Sequence, residues 1–148
     1  METKYLCRTH LEDVVKIEST NSMLSNHKTG RWSKADFIAV LQSKDYCGLV
    51  VVEKKKVLGF VIYCLMVDKI HICNLAVHKG YLCQGVGTRI LDKMKSKLVR
   101  RKIMEIDIRE SNLYAQLWLR DRDFKATGVV RRWYEDTDED AYKFRYSI

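Results

Sequence analysis

The stretch NLAVHKGYLCQGVGTRIL, residues 74–91, decides how the rest of the chain is read. An apolar strand-like run comes first. A short loop with glycines at 85 and 87 follows, and then a helical pattern. Backbone N–H groups at a helix start lack intrahelical partners and carry partial positive charge, so such a loop suits a phosphate. Gly85 and Gly87 lack Cβ atoms and let an anion approach the main chain. Gln84, Val86 and Thr88 add N–H groups. The two glycines alone fit a tight strand-to-helix turn equally well. No lysine–serine pair of the ATP-binding type follows them, and no third glycine completes a dinucleotide fingerprint.

Downstream, Ile90, Leu91, Met94 and Leu98 share one helical face, and Arg89, Lys93, Lys95, Lys97 and Arg100 cover much of the rest. IMEIDIR (103–109) alternates as a strand. Met104, Ile106 and Ile108 point one way, Glu105 and Asp107 the other. SNLYAQLWLRDR (111–122) reads as a helix capped by Ser111 or Asn112. DFKATGVVRRWY and AYKFRYSI close the chain as a strand pair around the acidic loop EDTDED.

Upstream, KYLCR (4–8) reads as a strand, and THLEDVVKIE as a helix opened by a capping box from Thr9 to Glu12. NSMLSNHKTGR is loop-like, and SKADFIAVLQ (33–42) is a second helix capped by Ser33 with Asp36. CGLVVVE (47–53), a KKK turn and VLGFVIYCLMV (57–67) form a hairpin, and KIHICNLAVH (69–78) is a further strand. The order β-α-α-β-β-β-α-β-α-β-β predicts an α/β (α+β mixed) fold. Its mostly antiparallel mixed sheet has six to seven strands, with helices on both faces.

The 148 residues fit a single domain, 1–148, large enough to bury a core without staples. With 47% hydrophobic and 31% charged residues the chain reads as soluble and globular. No run of eighteen apolar residues and no charged-then-apolar start is present. A cytoplasmic location without a membrane partner is therefore the expectation. The cysteines at 7, 47, 64, 73 and 83 form no CxxC pair and are read as free thiols, mostly buried. His10, His27, His71 and His78 share no ligand spacing with them, so no metal site is expected. The net charge of +8 would be higher still without the five acids of EDTDED. It suits an anionic partner such as nucleic acid, a ribosomal surface or a polyphosphate cofactor, and equally a solubilising surface. Without an aromatic stacking motif, nucleic acid is not the expected partner.

Residues 74–91 resemble motif A of the GNAT superfamily of N-acetyltransferases. IRESNLYAQLWLRDRDF is similar to that family's strand-then-helix segment. RWSKADF and VRRWYEDTDEDAYKFRY are similar to the matching pieces of the bacterial ribosomal-protein alanine N-acetyltransferases, the RimI type. The resemblance implies the GNAT fold and acetyl-CoA-dependent transfer of an acetyl group to a primary amine. In the RimI type the acceptor is a protein N-terminal α-amine. A small amine such as a polyamine or aminoglycoside, or a catalytically weak acyl-CoA-binding domain, stands as the alternative, and the chain is expected as a monomer or homodimer.

By the same resemblance, the amides of Gln84, Gly85, Val86, Gly87 and Thr88 would hold the pyrophosphate. The main chain of Leu75, Ala76 and Val77 would pair with the pantetheine, and Asn112 would contact the cofactor or simply cap its helix. Asp107 falls at the register of the general base, or is an ion-paired strand carboxylate. Tyr134 matches a substrate-side tyrosine near the incoming amine, or is a half-buried aromatic, and Trp32 lies on the peptide-side loop. The acceptor would enter between the loops around 24–33 and 133–140. Leu82 and Cys83 stand where the family often carries Arg or Gln and a basic residue, which leaves Lys79, Arg89 or a later lysine to supply charge. Leu119 stands where the family's tyrosine protonates the leaving thiolate.

Overall fold

The structure is a computed structural model that describes residues 1–20 and 30–148. Its elements are β1 (Glu2–Tyr5), a 3-10 turn (Arg8–His10), α1 (Leu11–Thr20), α2 (Lys34–Gln42), β2 (Tyr46–Glu53), β3 (Lys56–Leu65), β4 (Lys69–Val77), a second 3-10 turn (Lys79–Tyr81), α3 (Val86–Lys95), β5 (Ile103–Arg109), α4 (Leu113–Arg120), β6 (Lys125–Val130) and β7 (Ala141–Ser147). The seven strands form one sheet in the order β1-β2-β3-β4-β5-β7-β6. Neighbours are antiparallel except β4 and β5, which run parallel. The mixed, mostly antiparallel sheet expected from the element order is therefore present.

β3 and β4 read as nearly continuous apolar runs because both faces of the sheet are covered. On one face Val14 and Ile17 of α1 and Phe37 and Val40 of α2 pack against Phe60, Ile62 and Ala76. On the other, Ile90, Leu91 and Met94 of α3 and Leu119 of α4 pack against Leu58, Val61, Ile72, Leu75 and Ile106. The strict alternation of β5 sends Met104, Ile106 and Ile108 into this second layer. Gly59 lets α3 lie close on β3: a Cβ there would meet Val86 at 2.9 Å and the Ala76 carbonyl oxygen at 3.0 Å.

Local signals hold at α2, where Asp36 accepts from the Ser33 N–H at 2.7 Å and Ser33 Oγ accepts from the Asp36 N–H. They fail at the first helix. Pairing of Tyr5 with Leu49 and of the Leu6 N–H with the Gly48 carbonyl carries the strand region early, to residues 2–5, so the chain turns at Cys7. The Cys7 N–H donates to His10 Nδ1 at 3.1 Å, and Thr9 Oγ1 lies 3.0 Å from Cys7 Sγ instead of capping α1. Cysteine burial is also narrower than expected: Cys64 and Cys73 are buried, Cys47 is half-buried, and Cys7 and Cys83 are exposed. The loop reading at 21–29 and His27 lie outside the described residues.

Candidate functional site

The parallel strands β4 and β5 pair only from Lys69↔Ile103 to Ile72↔Ile106. Beyond that they part, although β4 stays paired to β3 as far as Val77 and β5 to β7 as far as Arg109. The parting begins at a bulge. Ile62 faces Asn74 and Tyr63 faces Ile72, so Cys73 is an extra residue in β4, and a bulge bends the strand that carries it. Behind the bulge, Glu18 of α1 is fully buried and accepts from Asn74 Nδ2 at 3.0 Å and from the Trp32 N–H at 2.8 Å. These bonds fix α1 and the Trp32 segment to the bent strand.

On the α3–α4 side of the opening lies the glycine loop. His78 Nδ1 accepts from the Gly80 N–H at 3.0 Å and holds the short turn after β4. Gly85, at φ +82°, is the residue before α3 and occupies the left-handed region that glycine enters at no steric cost. No side chain caps α3 at Gly85, so the N–H groups of its first turn face outward from the helix start. A Cβ at Gly85 would meet nothing within 4 Å, which makes the space above the loop open. At Gly87 a Cβ would stand 3.1 Å from Trp118, whose ring leans over the loop. Loop and α4 together enclose a concavity of about 260 Å³, lined among others by Val77, Gly85, Thr88, Tyr114 and Trp118.

On the α1–α2 side the same opening leads to a cleft of about 740 Å³ that includes Trp32, Tyr46, His71, Glu105, Asp107 and Trp133 in its walls. Glu105 is buried and gathers the cations. Lys69 Nζ donates at 3.1 Å and Arg145 at 2.9 Å, with Lys143 Nζ at 3.5 Å. Burial pushes the Glu105 carboxyl up, but the bonds from Arg145 and Lys69 and the Lys143 charge outweigh it and hold the group at about 2. Asp107, one side-chain position further along β5, lies beyond the parting and faces Lys143 Nζ at 3.4 Å. His71 stands between the two carboxylates, with Nδ1 3.7 Å from Glu105 and Nε2 3.8 Å from Asp107. Burial lowers the His71 imidazole below its ordinary value, against the upward pull of Asp107 and Glu105. The imidazole is therefore neutral at pH 7.

The remaining expected residues fall as follows. Leu75, Ala76 and Val77 form the end of β4 at the opening. Asn112 caps α4, accepting from the Ala115 N–H at 3.2 Å, and borders a smaller hollow beside Arg109 and Asp136. Tyr134 is fully buried behind Asp107. Its hydroxyl donates to the Asp107 carbonyl oxygen at 3.4 Å, and the Arg109 guanidinium stacks 4.0 Å from its ring centre. Arg109 thus turns away from Asp107 to bond Asp136 and Thr137 of the acidic loop. Arg89 also differs from expectation: it reaches the Met1 carbonyl oxygen and Thr3 across the N-terminal strand instead of the glycine loop. The sequence did not single out His71, which lines the cleft, or Arg122, which lines the glycine-loop concavity.

Residues 16–124 match the family model described as the acetyltransferase (GNAT) family. The chain belongs to that family. Over 140 residues it is 26% identical to the [ribosomal protein bS18]-alanine N-acetyltransferase of Escherichia coli (strain K12), a match that covers 88% of this chain and 94% of that protein. The crystal structure of the Escherichia coli ribosomal-protein-S18-alanine N-acetyltransferase superposes with a TM-score of 0.82 at 24% identity, covering 99% of this chain and 93% of that one. That of Arabidopsis thaliana NAA60 in complex with acetyl-CoA superposes at 0.79 and 15% identity, covering 99% and 98%. Leu119, at the position where the resemblance implies a proton-donating tyrosine, is fully buried in the α3–α4 layer and carries no proton to give. Among the described residues no group of acids, cysteines and histidines is arranged to hold a metal ion. No helix there is long and apolar enough to cross a membrane.

Proposed function

We propose that this acetyltransferase moves the acetyl group of acetyl-CoA onto the N-terminal α-amine of a protein. The observation that carries the proposal is the parting of β4 from β5, with an anion-suited glycine loop on one side and a carboxylate-walled cleft on the other. The residues fit the co-substrate. The open space over Gly85 and the uncapped start of α3 offer Gln84, Gly85, Val86, Gly87 and Thr88 as a pyrophosphate cradle. The main chain of Leu75, Ala76 and Val77 borders the opening where the pantetheine amides would run, while Asn112 borders a separate hollow at the end of β5. An Arabidopsis relative of the same fold was crystallised with acetyl-CoA, which supports the assignment. Acetyl-CoA supplies an activated thioester carbonyl.

The chain's own groups then manage the protons. The amine nitrogen forms the new bond to the carbonyl carbon, the carbon–sulfur bond breaks, and the amine proton passes through water to Asp107. Tyr134 holds the Asp107 backbone from behind and acts by positioning. Neutral His71, beside Asp107, can share the proton. The thiol needs no strong acid to leave, because thiols are far more acidic than alcohols (cysteine's is about 8.5) and a thiolate is a fair leaving group near neutral pH. Leu119 is tolerable on that ground.

A carboxylate is a weak base, and this selects the acceptor. An α-amine, at about 7.7–8.0, has an appreciable neutral fraction near pH 7.5, whereas a lysine amine at about 10.4 has almost none. The Escherichia coli relative is named a [ribosomal protein bS18]-alanine N-acetyltransferase, which agrees with a protein amine as acceptor. The test is mass spectrometry of peptides beginning with alanine against a panel of polyamines and aminoglycosides, each with acetyl-CoA. Acetylation confined to the peptide α-amine is expected. Turnover of the small amines alone would overturn the acceptor.

A further inference from the structure

The glycine loop lacks charged side chains of its own: Leu82 and Cys83 occupy its approach, and Arg89 is engaged with Met1 and Thr3. Lys95 is also turned away, 4.2 Å from the Tyr146 ring centre, and donates to the Arg122 carbonyl oxygen. One charged side chain does line the concavity, and it comes from the turn just after α4. Arg122 donates to Thr88 Oγ1 at 3.0 Å and to the Trp118 carbonyl oxygen at 3.0 Å. Its guanidinium carbon lies 4.1 Å from the centre of the Trp118 ring. Trp118 in turn abuts Gly87, so the guanidinium is clamped against the first turn of α3 by neutral groups alone. No carboxylate among the described residues pairs with it, and its Nε is buried without a hydrogen-bond partner.

We infer that Arg122 is the phosphate-binding cation of this acetyltransferase, placed by Thr88 and Trp118 to neutralise a phosphate of acetyl-CoA over the glycine loop. The inference rests on the acetyl-CoA reading above. A guanidinium already held in place and lacking a counter-ion loses little freedom on meeting an anion, and its planar fork suits phosphate oxygens. A structural staple between α3 and α4 would need no charge at this position. Recruiting the cation from the turn after α4 also explains how the loop can do without basic residues at 82 and 83.

The test is calorimetric titration of the purified protein and of Arg122→Leu and Arg122→Lys with acetyl-CoA, acetyl-dephospho-CoA and acetyl-pantetheine. Losing a charge-assisted hydrogen bond weakens binding by roughly ten- to a hundredfold. Arg122→Leu is expected to lose that much for acetyl-CoA and nothing for acetyl-pantetheine, with Arg122→Lys between. If the loss persists with acetyl-dephospho-CoA, the partner is the pyrophosphate; if it vanishes there, the partner is the 3′-phosphate. An equal loss for all three ligands, or none for any, overturns the role of Arg122 while leaving acetyl-CoA binding intact. Failure of the unsubstituted protein to bind acetyl-CoA would overturn the co-substrate reading itself, and the inference with it.

Discussion

Asp107 and Gly85 carry the account at the level of single residues. Asp107 sits at the first side-chain position on the cleft face after β5 leaves β4, so its carboxylate meets the opening while Glu105, two residues earlier, is spent on cations. Asp107→Asn keeps the shape and removes the basicity. The expected loss in kcat is about a hundredfold or more, with acetyl-CoA affinity unchanged, in steady-state kinetics paired with calorimetry. Gly85→Ala tests the other side. Its φ of +82° costs an L-residue roughly 1–2 kcal/mol, and the new methyl would project into the open space above the loop. A modest drop in unfolding free energy together with a clear loss of acetyl-CoA affinity is expected. A variant that binds as before would place the anion elsewhere.

Among the elements, β5 is tied to both neighbours by one buried carboxylate. Glu105 links Lys69 of β4 to Arg145 and Lys143 of β7 at the height where β4 and β5 are still paired. Removing one partner from such a cluster strands the others, so Glu105→Gln is expected to cost on the order of 3 kcal/mol in denaturant unfolding. The pH dependence follows from a folded value of about 2 against an ordinary 4.5. The carboxylate's contribution is complete above pH 4.5 and is lost as the pH falls toward 2. Glu105→Gln should flatten that limb of the stability profile. The alternation of β5, the caps of α2 and α4 and the order of elements were legible in the sequence because each depends on near neighbours. The parting of β4 from β5 was not, since no glycine or proline marks the bulge at Cys73 and β4 stays paired to β3 while its pairing to β5 ends. Arg122 was missed for a similar reason: it lies 34 residues beyond Thr88 and reaches it only because α4 packs beside α3. The shifted first turn follows from the pairing of β1 with β2, which overrode a good local cap at Thr9.

The whole molecule joins a basic body to an acidic loop. The net charge of +8 suits a polyphosphate co-substrate, and Arg122 is where that charge is brought to the glycine loop. The acids of 135–140 serve largely as struts. Asp136 pairs with Arg109, Glu139 accepts from the Ser111 N–H, and Asp140 from the Arg132 N–H. Glu135 and Asp138 of this loop are exposed. The central claim is that acetyl-CoA occupies the opening between β4 and β5, and amide NMR shifts during an acetyl-CoA titration test it most directly. The largest shifts should fall on residues 75–77 and 84–88, with smaller ones around Trp118 and Arg122. Saturable shifts clustered elsewhere, or no shifts at millimolar acetyl-CoA, would contradict the account.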